Sequence, residues 1–295
     1  MLRSRPALLD VIASWTDPFL SAPRVADSFP NKWAPEMLNI TNLRRTFFAG
    51  TADEKVALDG LSLSLGKGEF GVIIGSNGAG KSTLLNAISG ALQVDEGTIT
   101  IADDDVTRMP VHDRARHVAR VFQDPMKGTA SGMTIAENML LAELRTSKAR
   151  LKPGLTRKRL DNYREQLSYL KLGLEDRMDT QVSLLSGGQR QSLSLVMAVI
   201  KEPDILLLDE HTAALDPRTA NLVLNATLRA VSALKLTTLM VSHNMQHAVD
   251  YGNRILMLEA GKVKLDISGA EKEGVSVQSL TNHFAIKSDR MLLGA

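Results

Sequence analysis

The segment Gly75-Ser76-Asn77-Gly78-Ala79-Gly80-Lys81-Ser82-Thr83 constrains this chain more than any other feature. It fits G-x-x-x-x-G-K-[ST] at every fixed position. Its glycines let backbone N–H groups converge on phosphate oxygens with no Cβ in the way. Lys81 supplies a point charge to the β- and γ-phosphates, and the Ser82 hydroxyl is a ligand for Mg²⁺. Gly71-Val72-Ile73-Ile74 before it reads as a buried strand, and Leu84-Leu85-Asn86-Ala87-Ile88 after it as a helix stopped by Gly90. A strand, a glycine-rich loop and a helix N-terminus aimed at an anion form the context this motif requires. A glycine turn that binds nothing would not need that context.

Two further motifs lie downstream. Leu185-Ser186-Gly187-Gly188-Gln189-Arg190 opens an apolar helical run and offers a hydroxyl, flexible backbone donors and a helix N-terminus, which make a second anion site. Ile205-Leu206-Leu207-Leu208-Asp209-Glu210 reads as a fully buried strand ending in two carboxylates. Asp209 is placed to hold Mg²⁺ through water, and Glu210 to polarise an attacking water. Ala214-Leu215-Asp216 follows, and a strand from Thr237 to Val241 delivers His243 at its end.

These pieces, in this order, resemble the ATP-binding cassette (ABC) ATPases over about Met37 to Lys264. The resemblance implies an α/β fold: a P-loop NTPase of ABC type, whose RecA-like core has a mainly parallel sheet. An antiparallel β subdomain and an inserted helical subdomain complete it. Gly75 to Thr83 is then the ATP-phosphate loop, Gln123 the Q-loop glutamine that senses Mg²⁺ and the attacking water, and Ser186, Gly187, Gly188 and Gln189 the signature. Asp209 becomes the Mg²⁺ carboxylate and Glu210 the general base. Asp216 falls in the D-loop, His243 is the switch histidine, and Phe47 stacks on adenine. The resemblance also implies a head-to-tail homodimer in which Ser186 of one subunit faces the γ-phosphate held by Lys81 of the other. One residue departs from the family pattern: His211 stands where proline usually follows the catalytic glutamate.

The implied function is ATP hydrolysis powering a bacterial membrane transporter, with permease subunits as partners and a place on the cytoplasmic side of the inner membrane. Phe122 to Thr129 and Asp209 to Asp216 look like an uptake subfamily often assigned to aromatic amino acids or related small solutes. That favours an importer with a solute-binding protein. The glycine-containing loop Ala49 to Lys55 resembles exporters and lipoprotein-extracting cassettes, the alternative. A non-transport relative fits less well, since translation relatives usually carry two cassettes and repair relatives long coiled-coil or zinc insertions. A dead binding module is opposed by Lys81, Asp209, Glu210 and His243.

The bulk properties agree. In 295 residues one α/β domain with an inserted lobe can bury a sizeable core. With no cysteine, disulfides and Cys-based metal sites are excluded. No apolar run is long enough to span a bilayer. A net charge of +2 gives no argument for nucleic acid.

The expected division is an N-terminal extension over 1–36, an ATPase domain over 37–265 with its helical subdomain near 124–185, and a C-terminal tail over 266–295. Leu8, Leu9, Ile12, Trp15 and Phe19 recur at helical spacing in the extension. Thr134 to Asn138 reads as a capped helix start. Arg145, Lys148, Arg150, Lys152, Arg157, Lys158, Arg159 and Arg164 form either a solvated face or a surface for anionic lipid headgroups. Asp103-Asp104-Asp105 reads as a solvated turn, and His112 and His117 as surface residues.

Overall fold

The computed structural model describes residues 35–146 and 153–283. The N-terminal amphipathic segment, Lys148, Arg150 and Lys152 lie outside the described residues.

Alternating apolar residues build the first layer. Strands β1 (Glu36–Phe47) and β2 (Lys55–Gly66) pair antiparallel and bury Leu38, Ile40, Leu58, Leu61, Leu63 and Leu65. Strand β3 (Phe70–Ile74) is buried on both faces and leads through the glycine loop into helix α1 (Lys81–Ser89), which ends on Gly90 with φ of 79°. Strands β4 (Glu96–Ile101) and β5 (Asp104–Asp105) complete a four-stranded antiparallel sheet of order β2-β1-β4-β5.

After the short helix α2 (Val111–Arg114), strand β6 (Val118–Val121) begins the outer edge of the second sheet. A helical lobe follows, with α3 (Ile135–Leu144), α4 (Arg157–Ser168) and α5 (Gly187–Val199). Strand β7 (Ile205–Asp209), helix α6 (Pro217–Leu234), strand β8 (Thr237–Val241), helix α7 (Met245–Asp250), and strands β9 (Arg254–Glu259) and β10 (Lys262–Ser268) close the sheet. Its order is β10-β9-β3-β8-β7-β6, parallel throughout except for the β9–β10 hairpin.

Period-two alternation divides the core. On β7, Ile205 and Leu207 pack with α1 and the antiparallel sheet, while Leu206 and Leu208 pack with α5 and α6. The lobe has its own core, including Ile135, Met139, Tyr163, Leu167 and Val182. Leu193 and Val196 of α5 belong to it, so the lobe's packing extends past the expected limit at 185. The capped start of α3 is present: the Thr134 hydroxyl accepts from Glu137 N–H, and the Glu137 carboxylate accepts from Thr134 N–H at 2.7 Å.

Three expectations change. The limit at 265 falls inside β10, and Ile267, Val275 and the fully buried Leu280 pack against the core, so residues 266–283 are anchored on the domain and do not form a separate tail. His117 is buried, not on the surface: its Nδ1 lies 2.8 Å from Asp204 and its Nε2 3.3 Å from Asp104, tying the starts of β6 and β7 to β5. Among the described residues of the basic stretch, part is a solvated face and part is half-buried. Arg145 donates to Ala198 O at 2.9 Å, and its burial pulls its pKa down to about 10. Arg159 pairs with Glu143, while Arg157, Lys158 and Arg164 are exposed, the last paired with Asp161.

Candidate functional site

The glycine loop and α1 form a cradle because their backbone goes where side chains cannot. Gly80 is the N-cap of α1 with φ of 103°, and a Cβ there would come within 2.5 Å of Ala57 O. No side chain caps this helix, so its first N–H groups stay open to an anion. Lys81 curls back and donates to Gly75 O at 2.8 Å and Ser76 O at 3.0 Å. Burial lowers its pKa, while the carboxylates of Glu210 and Asp209 push it back up.

A cavity of about 390 Å³ opens over this cradle. Phe47, Lys55, Ala57, Asn77, Gly78, Gly80, Lys81, Ser82, Thr83, Gln123, Glu210 and His243 line it. Residues far apart in sequence therefore meet on one wall. Phe47 ends β1 under the Arg45 guanidinium, 5.1 Å from its ring centre. Phe48 follows in a turn with φ of 52° and is 69% exposed. The turn, more than strand alternation, separates the two rings.

Glu210 sits one residue past β7 with φ of 45°, a left-handed conformation uncommon for a residue with a side chain. Its N–H donates to Val241 O at 3.2 Å, and its Oε1 is 2.6 Å from His243 Nε2. Asp209 does not line the cavity; its Oδ2 accepts from Arg120 at 2.5 Å.

The signature lies elsewhere. Ser186 is the N-cap of α5 in a closed capping box: its hydroxyl accepts from Gln189 N–H at 3.3 Å, and Gln189 Oε1 accepts from Ser186 N–H at 3.2 Å. Gly187 and Gly188 pack on the start of α6, where a Cβ on Gly188 would collide with Thr219. Asp216 caps α6, accepting from Thr219 N–H at 3.1 Å; hydrogen bonding from the Thr219 side chain first, and from its backbone N–H second, holds the carboxyl below the usual range. None of Ser186, Gly187, Gly188, Gln189 or Asp216 lines the cavity within one chain. Gln191 links the regions, donating to Phe122 O at 3.0 Å beside Gln123.

His211 is 2% exposed, with its Nε2 3.1 Å from the hydroxyl of Thr227 on α6. Burial pushes its pKa down to about 4, helped by nearby His247. It is a neutral packing residue that joins the end of β7 to α6. Replacing it with proline, the usual family residue, would delete this buried hydrogen bond.

Sequence reasoning missed Lys55 and Arg120. Lys55 carries no motif signal, and Arg120 stands out only once β6 and β7 are paired.

The chain is similar to known proteins over most of its length. Residues 58–213 match the family described as ABC transporter. The chain is 44% identical to a tyrosine transport ATP-binding protein of Clostridioides difficile, over 84% of this chain and 98% of that one. It is 34% identical to the methionine import ATP-binding protein MetN 4 of Oceanobacillus iheyensis, over 77% of this chain and 64% of that one. The fold is similar to the dimeric, post-hydrolysis ATP-binding cassette MJ0796 bound to ADP and Pi. That TM-score is 0.68 at 26% identity, covering 79% of this chain and 98% of that one. With the phosphate cradle, the α/β architecture and these relatives in agreement, the chain belongs to the ABC transporter family as an ATP-hydrolysing subunit of a transport system.

Proposed function

We propose that this protein powers a bacterial importer of a small solute, with an amino acid such as tyrosine as the cargo class. The observation that carries this reading is the 44% identity across nearly the whole length of the tyrosine transport ATP-binding protein. The subunit works peripherally at the cytoplasmic face of the inner membrane, on permease subunits that receive solute from a binding protein. No described helix is long and apolar enough to cross a membrane itself.

The geometry supports specific roles. Phe47 stacks on the adenine, and Gly75 to Thr83 wrap the phosphates with Lys81 as the counter-charge. The Ser82 hydroxyl, the Gln123 amide oxygen and the Asp209 carboxylate are hard oxygen donors suited to Mg²⁺. Of the two Asp209 oxygens, Arg120 engages Oδ2. Mg²⁺, when bound, neutralises charge on the phosphates. Glu210 takes a proton from water as the water oxygen attacks the γ-phosphorus and the bond to the β-phosphate oxygen breaks. His243 holds one oxygen of Glu210, leaving the other for that water, and faces the γ-phosphate end of the cavity. Ser186 with Gly187 and Gly188 serve the γ-phosphate of a second copy across a head-to-tail dimer. Ser186 and Gly187 are exposed away from the chain's own cavity, with Gly188 buried behind them, which supports that arrangement.

Copurification with the permease, followed by reconstitution in proteoliposomes, tests the importer reading. ATP-dependent uptake of a labelled aromatic amino acid, delivered by a copurified solute-binding protein, is the expected result. A complex that moves substrate out of the lumenal leaflet and lacks a binding protein would overturn it.

A further inference from the structure

Arg120 has no role in any motif, yet its guanidinium touches three parts of the nucleotide machinery. It projects from β6, where residue 120 pairs in register with Leu207, two residues before Asp209. One nitrogen donates to Asp209 Oδ2 at 2.5 Å and another to Asn86 Oδ1 at 2.6 Å, five residues beyond Lys81 on α1. The plane lies 4.7 Å over the ring of Phe122, the residue before Gln123. The Arg120 side chain is 9% exposed and that of Asp209 14%, so the pair is largely removed from water.

That placement has an electrostatic reason. Asp209 and Glu210 put two carboxylates side by side at a partly buried strand end, and Lys81 alone would face both. A buried carboxylate without a counter-ion is costly and rotates away toward water. Arginine can bridge a carboxylate and an amide at once because its donors form a rigid fork; a lysine ammonium is a single point. The fork fixes Asp209 Oδ2 against β6 and α1 and leaves the other oxygen unclaimed by Arg120.

We propose that Arg120 is a positioning residue for the ATPase reaction: it fixes the Asp209 carboxylate relative to α1 and to strand β6, which leads into Gln123, so that Asp209 can serve Mg²⁺ held with the nucleotide. This rests on the MgATP reading given above. Arg120 acts through Asp209 and does not itself line the cavity.

The experiment titrates the full chain with a fluorescent ATP analogue, once with MgCl₂ and once with EDTA, for wild type, Arg120→Met and Arg120→Lys. Partners that orient a metal ligand typically contribute about 10–100-fold in metal affinity. In Arg120→Met the gain in nucleotide affinity from Mg²⁺ is expected to fall by about tenfold or more. Affinity in EDTA should stay within about twofold of wild type, since the phosphate cradle is untouched. Arg120→Lys keeps the charge but not the fork and should recover at least about threefold of the lost gain. An undiminished Mg²⁺ gain in Arg120→Met overturns the proposal, as does an equal loss in MgCl₂ and EDTA, which marks general destabilisation. An Arg120→Lys variant no better than Arg120→Met also overturns it. If wild type itself shows no Mg²⁺ gain, the MgATP reading fails and takes the proposal with it.

Discussion

The chain carries two helix N-termini proposed to serve phosphate, and they are built in opposite ways. At α1 the cap is a glycine in a left-handed conformation, with no side-chain acceptor on its N–H groups. At α5 Ser186 and Gln189 satisfy each other in a closed capping box. The first end is an open cradle that stays charged by itself, with Lys81 beside it. The second is stable without a ligand. An open helix end is costly unless an anion arrives. A capped end persists, exposed, until a partner's phosphate displaces or extends the cap. The difference supports the proposed division of labour, in which one terminus holds nucleotide in the monomer and the other waits for a second copy.

The largest expected effect separates chemistry from binding at the open end. Glu210→Gln should reduce steady-state turnover by about 10²–10⁴-fold, the usual contribution of a general base. Binding of a fluorescent ATP analogue should persist, and ATP should accumulate a dimer on size exclusion. Wild-type turnover would remove Glu210 from the role.

The next test sets the two termini against each other. Lys81→Ala should weaken MgATP binding to the monomer by about 1.5–3 kcal/mol, the range for hydrogen bonds to charged groups. Ser186→Ala should leave monomer affinity alone and abolish ATP-driven dimerisation, measured by light scattering. If Ser186→Ala lowers monomer affinity as much as Lys81→Ala does, the division of labour is wrong.

Phe47→Ala should cost about 1–3 kcal/mol in nucleotide affinity, by analogy with base–aromatic stacking. Phe48→Ala should cost little, because its ring is turned into solvent. A larger loss from Phe48 would show that the adenine lies on the other side of the turn.

His211 links the end of β7 to α6, and its test is pH. Its pKa is depressed from 6.5 to about 4, so the unfolded chain takes a proton that the folded chain refuses between those values. Its contribution is complete above pH 6.5 and is lost as pH falls toward 4, with a slope up to about 1.4 kcal/mol per pH unit. His211→Ala should flatten that limb in chemical denaturation measured from pH 7 to pH 4. It should also lower stability at pH 7 by about 1–3 kcal/mol, through loss of the buried bond to Thr227 and the cavity left behind. An unchanged limb would mean that other groups carry the acid sensitivity.

The smallest effect concerns the cap itself. Ser186→Ala should destabilise the subunit by about 0.5–2 kcal/mol in thermal unfolding, because the Gln189 N–H loses its acceptor. No loss would mean the box is not holding α5.

Much of this was legible in the residues. Local features need only neighbours in sequence. The β3–loop–α1 unit follows from an apolar run, glycines and a stop at Gly90. The capping boxes at Thr134 and Ser186 follow from an oxygen and a partner three residues on. The buried strand β7 follows from four consecutive aliphatics.

Long-range contacts did not show. His117 lies among arginines in sequence, yet two aspartates from β5 and the start of β7 enclose it. His211 reads as an odd residue beside the base, yet it is a neutral link to α6. Arg120 meets Asp209 and Asn86 across 89 and 34 residues. The sequence determined the local chemistry of this protein: which residues can cradle phosphate, hold metal and polarise water. Only the tertiary structure decided which charges are paired and buried. Pairing depends on which strands become neighbours, and a side chain's environment is set by residues that no local pattern brings to it.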